Sequence, residues 1–281
     1  MKITAYHRPE TLDKARSLLR DLGPAGIPLA GATSHAFMKG DDEKTAVDLA
    51  ALGIDTITAT PQGFAIGAMA RIADLQAFAA PGWVLDRVAL RFVSQPMRNM
   101  TTLGGNLARV FPWNDFPVAL LALDATLDIA GDTVTTHPAA TFFKGQPARL
   151  FKPGDLLTAI HVPAVGPGCG FGYHKETVVN MDFSLFTAAA WVRRDKRSLA
   201  EVRIAVGAGV PLPQRLIALE DALTGKAFSR DTVRAAVIAH AEAVSWKGGD
   251  GFSADYIRQL ALTHLEDALH AAWNDAAGGA V

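Results

Sequence analysis

The sequence predicts an α+β protein of two domains, on three observations. Its 281 residues exceed the ~150 usual for one domain. Before residue 163 the pattern is one of short apolar, strand-like runs punctuated by glycine. After a Pro/Gly-rich stretch come two more strand-like runs and three segments of helical period. Hydrophobic residues make up 49% and charged residues 20%, which supports a full core and excludes a disordered or fibrous chain.

The first element is a helix. Leu12, Ala15, Leu18, Leu19 and Leu22 recur at helical spacing, Thr11 can cap the start and Gly23 ends it. Ile27-Pro28-Leu29-Ala30 follows as a short buried strand and runs into a turn of small residues, Gly31-Ala32-Thr33-Ser34. Val47, Leu49 and Leu52 suggest another short strand or turn, an α/β beginning. Gly63 to Ala68 reads as a strand, and Ile72, Leu75 and Phe78 as a short helix. A second glycine-rich element, Thr101 to Asn106, precedes a helix predicted from Asp115 to Leu123; a carboxylate at its start suits the helix dipole. Leu127 to Ile129, Val134 and Leu156 to Val162 read as strands.

Pro163 to Gly172 holds two prolines and four glycines and reads as a linker. Beyond it, Phe183 to Val192 and Val202 to Val206 read as strands joined across the charged turn Arg193 to Arg197. Pro213 to Leu223, Thr232 to Val244 and Tyr256 to Trp273 carry helical spacing. A sheet with a helical cap is expected for this second domain.

Composition excludes several functions. Lys plus Arg is 27 and Asp plus Glu is 28, a net charge of −1 with no basic face for a nucleic acid. The single cysteine, Cys169, can form no internal disulfide and can hold neither an iron–sulfur cluster nor a Cys-type zinc site. Thiolate-bound redox metals would therefore sit on another chain. The start, MKITAYHRPETLDKARSLL, is polar and predicts no export leader. Apolar stretches such as Phe116 to Ala122 are far short of the ~20 residues of a membrane span. A cytoplasmic protein is expected. The sequence carries no G-x-S-x-G, H-E-x-x-H, G-x-x-x-x-G-K-[ST] or G-x-G-x-x-G, and its eight histidines show no metal-ligand spacing.

Two segments can carry chemistry. In Leu29-Ala30-Gly31-Ala32-Thr33-Ser34-His35, small side chains let backbone N–H groups approach an anion, and Thr33 and Ser34 add hydroxyls. In Thr102-Leu103-Gly104-Gly105-Asn106, Gly104 and Gly105 again allow close approach, Thr102 and Asn106 offer hydrogen bonds, and Asp115 could accept from a ribose hydroxyl. Each segment alone also reads as an ordinary tight turn. Together they suggest a dinucleotide held by two anion nests, outside the Rossmann pattern.

Ala30-Gly31-Ala32-Thr33-Ser34, then Arg98-Asn99-Met100-Thr101-Thr102-Leu103-Gly104-Gly105-Asn106-Leu107-Ala108 and Asn114-Asp115-Phe116-Pro117, resemble the FAD-binding medium subunit of molybdenum hydroxylases. That family includes the flavoproteins of carbon monoxide dehydrogenase and bacterial xanthine dehydrogenase. The resemblance extends from Arg8-Pro9 through Phe171 to Asp182 and on to Ala254-Asp255-Tyr256-Ile257-Arg258. It implies a vanillyl-alcohol-oxidase (PCMH)-type FAD-binding domain over 1–167, with subdomains of about 1–55 and 56–167. A C-terminal α+β domain resembling that of carbon monoxide dehydrogenase flavoproteins, a small antiparallel sheet with helices, would fill 168–281.

By the same resemblance, residues 29–35 with Gly104 and Gly105 would wrap the FAD pyrophosphate. Thr102, Asn106 and Asp115 match positions that contact the nucleotide. Leu157 and Lys175 match positions near the isoalloxazine, where a cation would favour the reduced ring. Phe92 could pack on the cofactor or simply fill core, and Trp113 could shield the flavin or meet a partner. The sequence departs from the family at Ala32, usually Gly, at Ser34, often Asp, at His35, usually aliphatic, and at Pro96, often Gln. A left-handed Ala32 would cost roughly 1 kcal/mol.

The implied function is electron transfer: FAD here takes electrons from [2Fe-2S] clusters on a small partner and passes them to an external acceptor. The molybdenum cofactor would sit on a large partner, in a dimer of heterotrimers. A self-contained FAD-dependent oxidase and a non-catalytic FAD-binding scaffold are the alternative readings.

Overall fold

The computed structural model describes residues 2–34, 40, 42–179, 181–249 and 251–278. Strand β1 (Lys2–His7) leads into helix α1 (Leu12–Leu22), and β2 (Gly26–Leu29) and β3 (Glu43–Asp48) complete a parallel sheet of order β1-β3-β2. Helix α1 starts and stops as its sequence predicts: the Thr11 hydroxyl accepts from the Lys14 N–H, and Gly23 turns away at φ +51° with its N–H returned to Leu19 and Arg20. Its buried residues, Ala15 and Leu19, pack with Val47, Leu49 and Leu156. Strand β1 has no counterpart in the sequence reading, because all six residues are exposed and no alternation marks them.

A five-stranded antiparallel sheet follows: β4 (Ile57–Thr60), β5 (Gly63–Gly67), β6 (Thr126–Ala130), β7 (Val134–Pro138) and β8 (Leu156–Pro163), in the order β4-β5-β8-β6-β7. Between β5 and β6 run the short helices α2 (Ile72–Ala77), α3 (Leu85–Leu90), α4 (Gln95–Met100), α5 (Leu103–Ala108) and α6 (Phe116–Ala122); α7 (Ala139–Phe142) follows β7. All seven residues of α6 are buried. A helix apolar on every side is an interior element, and α6 lies between two layers.

The second layer is the antiparallel sheet of β9 (Cys169–Glu176), β10 (Phe186–Asp195), β11 (Ser198–Gly207) and β12 (Gln214–Arg215), in the order β12-β11-β10-β9. Helices α8 (Ile217–Leu223), α9 (Arg230–Ala241) and α10 (Ala254–Asp275) follow, α10 packed on β9 and β10. Two readings shift here. The segment expected as a linker over 163–172 is strand from Cys169 onward, because β9 pairs with β10 along Cys169↔Arg193 to Glu176↔Phe186. The helix expected from Pro213 begins at Ile217, since Gln214 and Arg215 pair with Val206 and Ala205. Among the described residues no helix is long and apolar enough to cross a membrane.

Candidate functional site

The two glycine-rich segments meet. Gly31 packs on the end of α4 so closely that a Cβ there would lie 2.0 Å from the Met100 carbonyl oxygen, so this position excludes every side chain. The Thr101 hydroxyl reaches Thr33 Oγ1 at 3.3 Å, and Thr33 and Ser34 open a 3-10 turn. Ala32 takes φ +58°, the left-handed conformation that the missing glycine would adopt without strain. Among the described residues no backbone carbonyl outside their own turn accepts from the amides of Gly31 to Ser34.

The second segment is a helix start rather than a loop. Thr102 caps α5, its hydroxyl accepting from the Gly105 N–H at 3.2 Å. The Leu103 and Gly104 amides donate to the Ala70 and Ala68 carbonyls at 2.8 and 2.7 Å. A Cβ on Gly104 would meet Ala68 at 2.7 Å. Gly104 therefore seats α5 against the end of β5, and the expected anion nest at this residue gives way to backbone packing.

These elements wall a cavity of about 530 Å³, inside the usual range for ligand sites. Ala30, Gly31, Ala32, Thr33, Ser34, Thr102, Gly104, Gly105 and Leu157 line it, with Ile27, Met69 and Phe151 as further apolar wall. A smaller cavity of about 60 Å³ adjoins it through Thr33, Ser34, Thr101, Gly105 and Arg109. Asn106, Asp115, Lys175, Phe92 and Trp113 line the smaller one. Leu157 and Lys175, both expected beside the isoalloxazine, thus face different cavities. Leu29 lines neither, its carbonyl instead accepting from the Leu49 N–H. His35 lies outside the described residues.

Asp115 and Lys175 are a pair. Lys175 Nζ donates to Asp115 Oδ2 at 2.9 Å, and both side chains are 2% exposed. Ser184 and Thr187 hydroxyls donate to Asp115 Oδ1. A buried carboxylate with three donors is well satisfied, and its positive partner presents little net charge. Lys175, expected as a cation near the isoalloxazine, is thus ion-paired with Asp115, and Asp115 stands at the start of α6 without capping it. Burial first, then the Asp115 carboxylate, push the Tyr173 hydroxyl well above its ordinary range.

Asn106 completes the smaller cavity. Its backbone carbonyl accepts from Asn114 Nδ2 at 2.6 Å, while its side-chain Oδ1 is buried without a hydrogen-bond partner. Trp113 stacks on Phe111 with ring centroids 5.1 Å apart, and the Phe183 ring lies 5.0 Å from Trp113, tilted by 40°. Arg109 lies over the Phe111 ring, its guanidinium carbon 5.0 Å from the centroid. Sequence reasoning missed Arg109, Ser184 and Thr187. An arginine just past a glycine-rich helix was a usable signal; Ser184 and Thr187 carried none, being ordinary polar residues far along the chain.

Residues 1–165 match the family model described as the FAD binding domain in molybdopterin dehydrogenase. Residues 173–272 match the CO dehydrogenase flavoprotein C-terminal domain. The chain is 29% identical over 279 residues to the carbon monoxide dehydrogenase medium chain of Hydrogenophaga pseudoflava, covering 95% of this chain and 96% of that one. It is 26% identical over 283 residues to the xanthine dehydrogenase FAD-binding subunit of Escherichia coli O157:H7, covering 95% and 97%. The solved carbon monoxide dehydrogenase from Hydrogenophaga pseudoflava that lacks the Mo-pyranopterin moiety superposes with a TM-score of 0.92 at 29% identity, over 98% of each chain.

Proposed function

Because the chain belongs to the family of FAD-binding domains of molybdopterin dehydrogenases, we propose that its two adjoining cavities hold one FAD and that it is the electron-transfer subunit of a molybdenum hydroxylase. The observation that carries this reading is the joined site itself. A cavity of about 530 Å³ walled by both glycine-rich segments adjoins a second lined by Asn106, whose buried Oδ1 has no hydrogen-bond partner among the described residues. A buried acceptor without a donor is costly, and a nucleotide hydroxyl or ring N–H removes that cost.

The chain's own residues then divide the work. The amides of Gly31 to Ser34, the Thr33 and Ser34 hydroxyls and the Arg109 guanidinium hold the pyrophosphate. Asn106 accepts from the nucleotide. Ala30, Leu157, Met69 and Phe151 cover its apolar surface. The Asp115–Lys175 pair fixes the start of α6 against β9 and so holds one wall of the smaller cavity in place. Bound FAD supplies the redox chemistry that no side chain here provides.

Electrons reach this chain from a small iron–sulfur subunit and originate at a molybdenum cofactor on a large subunit, in a dimer of heterotrimers. Cys169 is the chain's only cysteine, which supports placing the clusters on a partner, and the cytoplasm is the compartment this reading assigns. Purification of the chain and its visible spectrum test the premise: a yellow protein releasing one FAD per chain is expected, and a colourless protein that takes up no added FAD overturns it. Purification from the native host tests the assembly, with molybdenum, iron and two further chains expected together. Arg109→Gln should weaken FAD binding by about 10- to 100-fold, the worth of a charge-assisted hydrogen bond, with the melting of the FAD-free protein unchanged. Equal FAD affinity in both proteins would remove Arg109 from the site.

A further inference from the structure

Strand β9 and helix α10 meet along a seam whose two ends are built differently. At one end Gly170 and Gly172 let the helix touch the strand: a Cβ on them would lie 2.1 Å from the Ala272 carbonyl oxygen and 2.0 Å from that of Ala268. At the other end two imidazoles fill the gap. His174 on β9 and His264 on α10 stack face to face, with ring centroids 3.9 Å apart and planes inclined by 13°. His174 Nε2 and both ring nitrogens of His264 are buried without a well-formed hydrogen bond. Asp267 Oδ2 is 3.5 Å from His264 Nδ1. Glu176 Oε2 is 3.4 Å from His264 Nε2 and 3.7 Å from His174 Nε2.

Packing alone does not account for this end of the seam, since apolar rings would fill the gap without burying unsatisfied polar atoms. Imidazoles add a response to pH. A first proton on the pair, at His264, lies between two carboxylates that offset it. A second, on His174, sets two cations face to face at 3.9 Å. Burial, and then the adjacent His264 ring, hold His174 below the ordinary imidazole value. The titratable groups that face it are His264 and Asp267 from α10 and Glu176 from its own strand. The β10 side brings Ala188, the strand partner of His174, and the Phe186 ring stacked near His264, neither of which titrates.

We propose that the His174–His264 pair, with Glu176 and Asp267, is a proton-sensitive latch that closes the seam between β9 and α10 at neutral pH and loosens it in mild acid, with the Gly170–Gly172 contact as the pivot. A histidine that the fold keeps neutral contributes its stability in full above the unfolded value of about 6.5, and the contribution is lost as pH falls below that. Lys175 lies between the two latch residues of β9 and points to the opposite face of the strand, where it donates to Asp115 at 2.9 Å. Thr187, the strand partner of Lys175, donates to the same carboxylate. Loosening the latch therefore disturbs a wall of the smaller cavity, and FAD leaves faster in acid. This last consequence rests on the FAD reading above.

The test compares urea unfolding of the full-length chain at about pH 7.5 and about pH 5 in wild type, His174→Phe and Glu176→Gln. The phenyl ring keeps the stack and removes the titration. On acidification the unfolding constant of wild type should therefore rise about 10-fold more than that of His174→Phe, the worth of one unit of pKa displacement. Glu176→Gln, at a side chain 38% exposed, removes a carboxylate that offsets the proton and should steepen the acid loss. Equal pH dependence in wild type and His174→Phe overturns the proposal, as does an unchanged or shallower one in Glu176→Gln. FAD release is followed by flavin fluorescence in the same proteins, and acid should speed it in wild type and leave it unchanged in His174→Phe. Equal release rates at both pH values in wild type overturn the link to the cofactor. A wild-type chain without FAD at neutral pH overturns the FAD reading itself, and the urea comparison then decides the latch alone.

Discussion

Ala32 shows how one residue can be read twice. In sequence it is a missing glycine; in the structure it sits at φ +58° on the cavity wall. Ala32→Gly should raise stability by about 1 kcal/mol by removing that strain, measured as a higher urea midpoint at unchanged m-value; no change would mean the loop relaxes without cost. Lys175 is the opposite case. Its charge was legible, but the partner that cancels it was not, because Asp115 is 60 residues away in sequence. Lys175→Met leaves a buried carboxylate with only hydroxyl donors and should cost about 3–5 kcal/mol. A loss below 1 kcal/mol in denaturant unfolding would show that water reaches Asp115.

Among the elements, α5 and α6 carry the site. Their apolar content was legible, as was the start of α6; the helical state of the segment after Thr102 was not, since two adjacent glycines disfavour a helix by about 1 kcal/mol each. Tertiary contacts override that preference. The Leu103 and Gly104 amides are satisfied by carbonyls of residues 70 and 68, and the Thr102 hydroxyl takes the next. Thr102→Ala should therefore cost about 1 kcal/mol of stability and weaken FAD retention as α5 frays. Unchanged FAD affinity together with the stability loss would confine Thr102 to capping. Strand β1 was illegible for another reason: exposed on all its residues, it exists only through its parallel pairing with β3.

For the whole molecule, one apolar core runs across the layers. Phe116, Val118 and Leu120 of α6 belong to the same buried cluster as Ile66 and Ile160 of the five-stranded sheet and Phe171, Ala189, Trp191 and Ala205 of the four-stranded one. Arg87 adds a clamp, donating to the Phe171 carbonyl and to Asp275, both at 2.8 Å. Separate clusters lie under α8 to α10 and under α1, but with this shared cluster and clamp joining the two larger sheets, thermal or denaturant unfolding is expected to be a single transition, with far-UV dichroism and tryptophan fluorescence coincident. Two separated midpoints would show that the layers melt independently. Sequence by itself determined the α+β class, the helix over Leu12–Leu22, the buried character of Phe116–Ala122 and the family, because local periodicity, capping residues and a glycine-rich motif are written in adjacent positions. Only tertiary structure decided which carboxylate meets Lys175, which carbonyls take the Leu103 and Gly104 amides, and that His174 and His264 stack. Each of those depends on groups brought together from distant parts of the chain, and no local pattern encodes such a meeting.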